Sequence, residues 1–242
     1  MKRFDFKQHI IFESEDYLAI NKPSGISSLH ERIGTANSVF EQAKKYNSTL
    51  QLCHRLDKET SGLLLLSKHA KAYSHAAQLF EKRKIQKCYH AIAHGVHQFH
   101  SYTVDLPLVT TRSGRSAIHK QKGKPSKTLF DTLENFGHYT LIACKPFSGR
   151  QHQIRIHLAS QQAPIAADEI YGGKLPFLSD YKRSFNLKKD TNEQPMIKRF
   201  ALHAYSLGFI DLNGDSLLLV AEYPKDFHVF LNQLKRYDQV SH

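Results

Sequence analysis

Hydrophobic residues along this chain fall either in short unbroken runs or in stripes at helical spacing. Unbroken runs bounded by turn residues read as buried strands. Residues 9–12 and 17–21 form two short ones, separated by the acidic turn Glu13-Ser14-Glu15-Asp16. Lys22-Pro23-Ser24-Gly25 closes the second, because proline and glycine each stop regular structure. Leu63 to Ser67, residues 88–93 and Tyr139 to Lys145 predict three more, the last ended by Pro146. Residues 201–210 and 216–222 flank Asn213-Gly214, a strong hairpin signal.

Helical stripes lie between some of these runs. Ser38-Val39-Phe40-Glu41 has the form of a capping box, followed by Ala43 and Tyr46 at helical spacing. Tyr73, Ala76, Ala77 and Phe80 predict a helix over about 69–83. Ser148-Gly149-Arg150 leads into a third, carrying Ile154, Leu158 and Ala159, and Pro224 opens a fourth with Phe227, Phe230, Leu231 and Leu234 on one face. Between about 106 and 130 the apolar pattern disappears, and 174–199 is polar, basic and irregular. Strands and helices mix without strict alternation. This predicts an α+β protein with a mixed, mostly antiparallel sheet flanked by helices and long loops. With no repeat and no clear linker, residues 1–242 are expected to form a single domain.

Charge changes the picture. Lys and Arg number 34 against 22 Asp and Glu, a net charge of +12, which favours a polyanionic partner through phosphate neutralisation. Arg112, Arg115, Lys120, Lys122, Lys124 and Lys127 lie in the patternless stretch, with no acid between Asp105 and Asp131. A solvated loop and an RNA-backbone contact both fit, and the complete absence of acids favours the second. No basic amphipathic helix suits a membrane surface, and no apolar run is long enough to span one. Three scattered cysteines (Cys53, Cys88, Cys144) and a polar N-terminus predict a reduced, cytoplasmic protein, with a monomer as the default. Neither a phosphate-binding glycine loop nor a dinucleotide fingerprint occurs, so no cofactor is expected. His90, His94, His97 and His100 straddle a strand and its turn, and His152 and His157 are wrongly spaced for a zinc helix, so no metal is expected either.

The stretch His54-Arg55-Leu56-Asp57-Lys58-Glu59-Thr60-Ser61-Gly62 is a charged loop feeding the buried run at Leu63. Asp57 there suits either a turn cap or a reactive carboxylate held at a sheet edge. A second dense polar segment, Gly149 to Leu158, favours the reactive reading, since Arg155 is long enough to reach back to a carboxylate.

These residues carry a resemblance. His54-Arg55-Leu56-Asp57 with Thr60-Ser61-Gly62-Leu63 resembles the catalytic motif of the RluA-type pseudouridine synthases. Gly149-Arg150 with His152-Gln153-Ile154-Arg155 and His157-Leu158 is similar to a later motif of that family. Lys87-Cys88-Tyr89-His90-Ala91 resembles its Lys-x-Tyr-x-Ala strand. Asn21-Lys22-Pro23-Ser24-Gly25 resembles its first motif, and Pro164-Ile165 with Asp168 and Tyr171-Gly172 a further one. Ala167 departs from the usual glycine, and Ile210-Asp211 from a usual His-Pro.

The resemblance implies isomerisation of uridine to pseudouridine in ribosomal or transfer RNA, with the base flipped out of its stack. It implies Asp57 as the essential carboxylate, Arg155 as its ion-pair partner, and Tyr89 stacked on the uracil. Arg55 would fill the space the uridine leaves. His54, Lys22, Arg150, Arg112 and Arg115 are expected on the substrate RNA. It also implies that the small RNA-binding module many members carry in front is absent here. A non-catalytic RNA-binding or ribosome-assembly factor on the same fold would share the charge but has no need of Arg55, Asp57, Tyr89 and Arg155 together. A glycosidase would need a second positioned carboxylate.

Overall fold

A computed structural model describes residues 4–30, 38–111, 114–182, 185–187 and 191–239. In chain order its elements are β1 (Ile10–Glu13), β2 (Tyr17–Lys22), α1 (Val39–Tyr46), β3 (Gln51–Leu52), β4 (Ser61–Ser67), α2 (Ala70–Glu81) and β5 (Gln86–His94). There follow β6 (Tyr102–Asp105), β7 (Leu108–Thr110), β8 (Ser116–Ile118), β9 (Lys127–Asn135), β10 (Tyr139–Pro146), α3 (Gln153–Ser160), β11 (Leu202–Ile210), β12 (Ser216–Val220) and α4 (Lys225–Tyr237). This is the mixed, mostly antiparallel α+β arrangement that the pattern predicts. The chain packs as two compact units, Met1–Cys88 with His203–Glu222, and Tyr89–Leu202 with Tyr223–His242.

In the first unit the strands run β1-β2-β4-β11, with β3 added on β4 and β12 on β11. All seven residues of β4 are buried, as expected for a strand with neighbours on both sides, and this is why its sequence is an apolar run rather than an alternation. Antiparallel pairing sets Leu63 opposite Asn21 and Leu65 opposite Ala19. The pairing with β11 is parallel, His203 with Ser61 and Ala204 with Gly62. At that point only glycine fits: Gly62 has φ +112°, and a Cβ would stand 2.3 Å from the Ala204 carbonyl oxygen. α1 begins with the anticipated capping box, Ser38 accepting from the Glu41 N–H while Glu41 reaches back to the Ser38 N–H. α2 lays Ala72 and Ala76 against Tyr17, Leu63 and Leu65, and the Tyr17 hydroxyl donates to the Ala72 carbonyl.

In the second unit the order is β5-β10-β9-β6, antiparallel at each pairing, with β7 and β8 as a separate two-stranded hairpin. Ile154 and Leu158 of α3 and Phe227, Phe230, Leu231 and Leu234 of α4 join a core with Phe130, Tyr139 and Ile142. Each of those aromatic or aliphatic side chains contributes roughly 1.5–3 kcal/mol on burial, so α4 is held by its apolar face rather than by helix propensity.

Two segments differ from expectation. The stretch 106–130 is not a featureless loop, since it holds β7, β8 and the start of β9. β9 alternates Lys127 outward and Thr128 inward, then Leu129 and buried Phe130, and a polar residue on the buried side hides the two-residue period. β6 turns only Val104 inward, too little apolar signal to read.

Candidate active site

The Asp57 loop in the first unit is fastened along its length. At its start, Leu56 and Ser28 are tied twice: the Leu56 N–H donates to Ser28 Oγ (3.0 Å), and Ser28 Oγ to the Leu56 carbonyl (2.8 Å). The Thr60 N–H closes a turn onto the Asp57 carbonyl (3.1 Å), and the Gly25 N–H donates to the Lys58 carbonyl (2.9 Å). Beyond the turn, buried Ser61 Oγ is hydrogen-bonded to His203 Nδ1 (3.0 Å), whose Nε2 donates to the Ala221 carbonyl (3.0 Å). Asp57 itself is half-buried and Arg55 exposed. A carboxylate on a loop with so many backbone anchors has its direction set by the scaffold, as precise chemistry requires.

Two residues expected on RNA have other positions. Lys22 is 0 % exposed, and its ammonium donates to the carbonyls of Pro23 (2.9 Å), Ile26 (3.0 Å) and Lys58 (3.1 Å). Lys22, expected on the RNA backbone, is thus placed as a clamp between the 23–26 turn and the Asp57 loop. His54 Nε2 accepts the Leu65 N–H (3.0 Å) and its ring lies against Phe80. Burial, with the Lys87 charge adding to it, pushes its pKa down to about 3. His54, expected on the substrate, thus also serves as a neutral anchor for the loop.

In the second unit Arg155 is held tightly. It is 3 % exposed on α3, with Nε donating to Asp168 Oδ2 (2.7 Å) and Nη2 to Asp168 Oδ1 (2.6 Å). Its guanidinium centre lies 4.2 Å from the Phe200 ring centroid and 4.9 Å from that of Tyr171. This bidentate pair between two aromatic faces fixes both the plane and the position of the guanidinium. Asp168, quoted in the sequence only as part of a motif, thus has a distinct task. The turn that presents it is tight: Ala167 has φ +62°, and a Cβ on Gly173 would stand 1.9 Å from the Ile165 carbonyl oxygen. The alanine at 167 occupies a left-handed conformation that glycine adopts without strain, which explains the family's usual residue there.

Tyr89 sits on β5 opposite Cys144 of β10, half-buried against the core. Its neighbour His90 is hydrogen-bonded to the Tyr223 hydroxyl. Arg115, Lys120, Lys122, Lys124, Lys127 and Arg150 are all exposed. Arg112 lies outside the described residues. Gln153 knits the entry of α3 together, accepting from Ser148 Oγ and the Arg150 N–H while donating to the Lys127 carbonyl and to Thr128 Oγ1. Among the described residues no group of three or more His, Cys, Asp or Glu could hold a metal ion, and no helix is long and apolar enough to cross a membrane.

The side chains expected to act on RNA therefore fall into two sets: Arg55 and Asp57 on the clamped loop, and Tyr89, Arg155 and Arg150 in the second unit. Comparison with known proteins assigns the chain. The profile of the RNA pseudouridylate synthase family matches residues 16–160. The ribosomal large subunit pseudouridine synthase C of Salmonella typhimurium is 35% identical over 237 residues, covering 96% of this chain and 69% of the relative. The ribosomal large subunit pseudouridine synthase D of Haemophilus influenzae is 32% identical over 238 residues, 94% of this chain and 71% of that protein. Among solved structures, human RNA pseudouridylate synthase domain containing 4 shares the fold at a TM-score of 0.71, with 24% identity over 95% of this chain and 94% of that one. The clamped His-Arg-Leu-Asp loop, the fold and these relatives lead to one assignment: the chain belongs to the RluA-type RNA pseudouridylate synthases, isomerases of uridine in RNA.

Proposed function

We propose that this enzyme isomerises uridine in large-subunit ribosomal RNA, with Asp57 as the carboxylate that acts on the substrate. The substrate class follows the relatives named as ribosomal large subunit pseudouridine synthases. The observation that carries the assignment of Asp57 is its loop, a half-buried carboxylate fastened through Lys22, Ser28, Ser61 and their backbone partners. Such fastening serves a reactive group that must meet its target in one orientation.

In the reaction the N1–C1′ glycosidic bond breaks and the uracil turns within the site. A C5–C1′ bond then forms, C5 loses its proton and N1 gains one. The balance needs no water, oxidant or reductant. Asp57 serves as nucleophile toward the substrate or as base on the ribose, and either role uses the carboxylate form. Tyr89 presents a ring for the uracil to stack on and a phenol for the C5 proton. Exposed Arg55 suits insertion into the stack when the uridine flips out. Arg155, its direction fixed by Asp168, serves as a buried cation for the negative charge of the substrate or of the carboxylate. Arg150, Arg115 and the lysines at 120–127 take the RNA backbone, positioning rather than reading sequence.

Tritium release from RNA carrying carbon-5-labelled uridine tests this directly. Asp57→Asn is expected to abolish release while RNA binding stays within about twofold of the parent. Turnover retained by Asp57→Asn would remove Asp57 from the mechanism.

A further inference from the structure

The β7–β8 hairpin and Arg155 share one side chain. The Tyr171 hydroxyl accepts the Ser116 N–H (3.0 Å) and also lies 3.2 Å from the Ser116 carbonyl oxygen and 2.9 Å from His152 Nδ1. Its ring stands 4.9 Å from the Arg155 guanidinium centre. Around this contact, Ser116 Oγ donates to the Gln151 carbonyl, and Gln151 Nε2 donates to the Gly114 carbonyl (2.9 Å). A two-stranded hairpin with three residues in each strand has no independent stability, so its direction is set by what it docks on. Here it docks on Tyr171 and on Gln151, one turn before Arg155. Exposed Arg115 sits beside the docking residue Ser116, and exposed Lys120, Lys122 and Lys124 follow β8.

We infer that Tyr171 is a positioning residue that joins the basic hairpin to Arg155, its hydroxyl setting the hairpin for RNA backbone and its ring supporting the arginine. The inference rests on the assignment of Arg155 and the hairpin to RNA modification made above. The two halves of the side chain have separate tasks. The hydroxyl orients the hairpin, through hydrogen bonds that a phenylalanine cannot make. The ring face supports the guanidinium, through an attraction that phenylalanine keeps and leucine loses.

Two variants separate the tasks. Tyr171→Phe is expected to raise KM for a structured RNA about tenfold with kcat within about twofold, because binding through the hairpin is weakened and Arg155 keeps its support. Tyr171→Leu is expected to show the same rise in KM and a further fall in kcat of about tenfold or more. An unchanged KM in Tyr171→Phe overturns the linkage. Equal kcat in the two variants overturns it too, as does a parallel fall of both constants with the melting temperature, which marks a packing role only. A second measurement keeps the catalytic reading apart. In an Asp57→Asn background, Tyr171→Phe should weaken RNA binding about tenfold and make its salt dependence shallower. An unchanged salt slope there overturns the linkage, while turnover persisting in Asp57→Asn alone overturns the catalytic reading and not the linkage.

Discussion

His54 shows how a residue within a polar motif can be held by the scaffold as well as stand near the expected substrate. Next to Arg55 and Asp57, a histidine suggests contact with RNA. In the fold it is a neutral acceptor for the Leu65 N–H, held against Phe80. Its stability contribution has a definite sign. The unfolded-state histidine takes up a proton below its model value of 6.5, whereas the folded one resists until about 3. The contribution is therefore complete above pH 6.5 and is lost as pH falls toward 3, at up to about 1.4 kcal/mol per pH unit. His54→Gln offers a non-titrating acceptor for the same N–H. The stability difference between parent and variant, from urea denaturation, should shift against the parent by about 2 kcal/mol between pH 7 and pH 5. A difference that does not change with pH would remove the neutral imidazole from the account. Lys22 carries the same lesson, because a cation in a Pro-Gly turn looks alike in sequence whether it meets a phosphate or three carbonyls. The Arg155–Asp168 pair was hidden for another reason: it depends on a left-handed backbone at Ala167, which no residue pattern announces.

Among the elements, those with a strong apolar period were legible. β4, α1, α2 and α4 lie where the pattern puts them, within a residue or two at their ends. β6, β7 and β8 were not, being three or four residues long with a single buried residue each, and fixed by pairing rather than by an apolar period. β4 also joins fold to site, since it receives the Asp57 loop and meets β11 at Gly62. Gly62→Ala would force a Cβ to within 2.3 Å of the Ala204 oxygen in a backbone conformation that disfavours side chains. The expected cost is about 3 kcal/mol or more, a fall in melting temperature of roughly 6–12 °C for a chain of this size. A fall under about 2 °C would show that β11 can yield at this point. Because the strain sits five residues from Asp57, turnover should fall further than the melting temperature alone explains.

For the whole molecule, charge was the most legible property. A net charge of +12 is read directly from the sequence, and the described cations at 115, 120, 122, 124, 127 and 150 are exposed. If those six meet phosphates of partly single-stranded RNA, log Kd plotted against log salt should have a slope of about 4. A slope near zero would mean that RNA is held by base stacking alone.

The bond between Ser61 and His203 spans 142 positions of sequence. During synthesis the Asp57 loop leaves the ribosome long before the strand that locks it. Until His203 and Ala221 have been made, β4 has no parallel neighbour and the loop lacks its far anchor. Pairing across such a distance comes late in folding, after its loop-closure entropy has been met. A nascent or truncated chain ending before β11 would carry the Asp57 loop without that anchor.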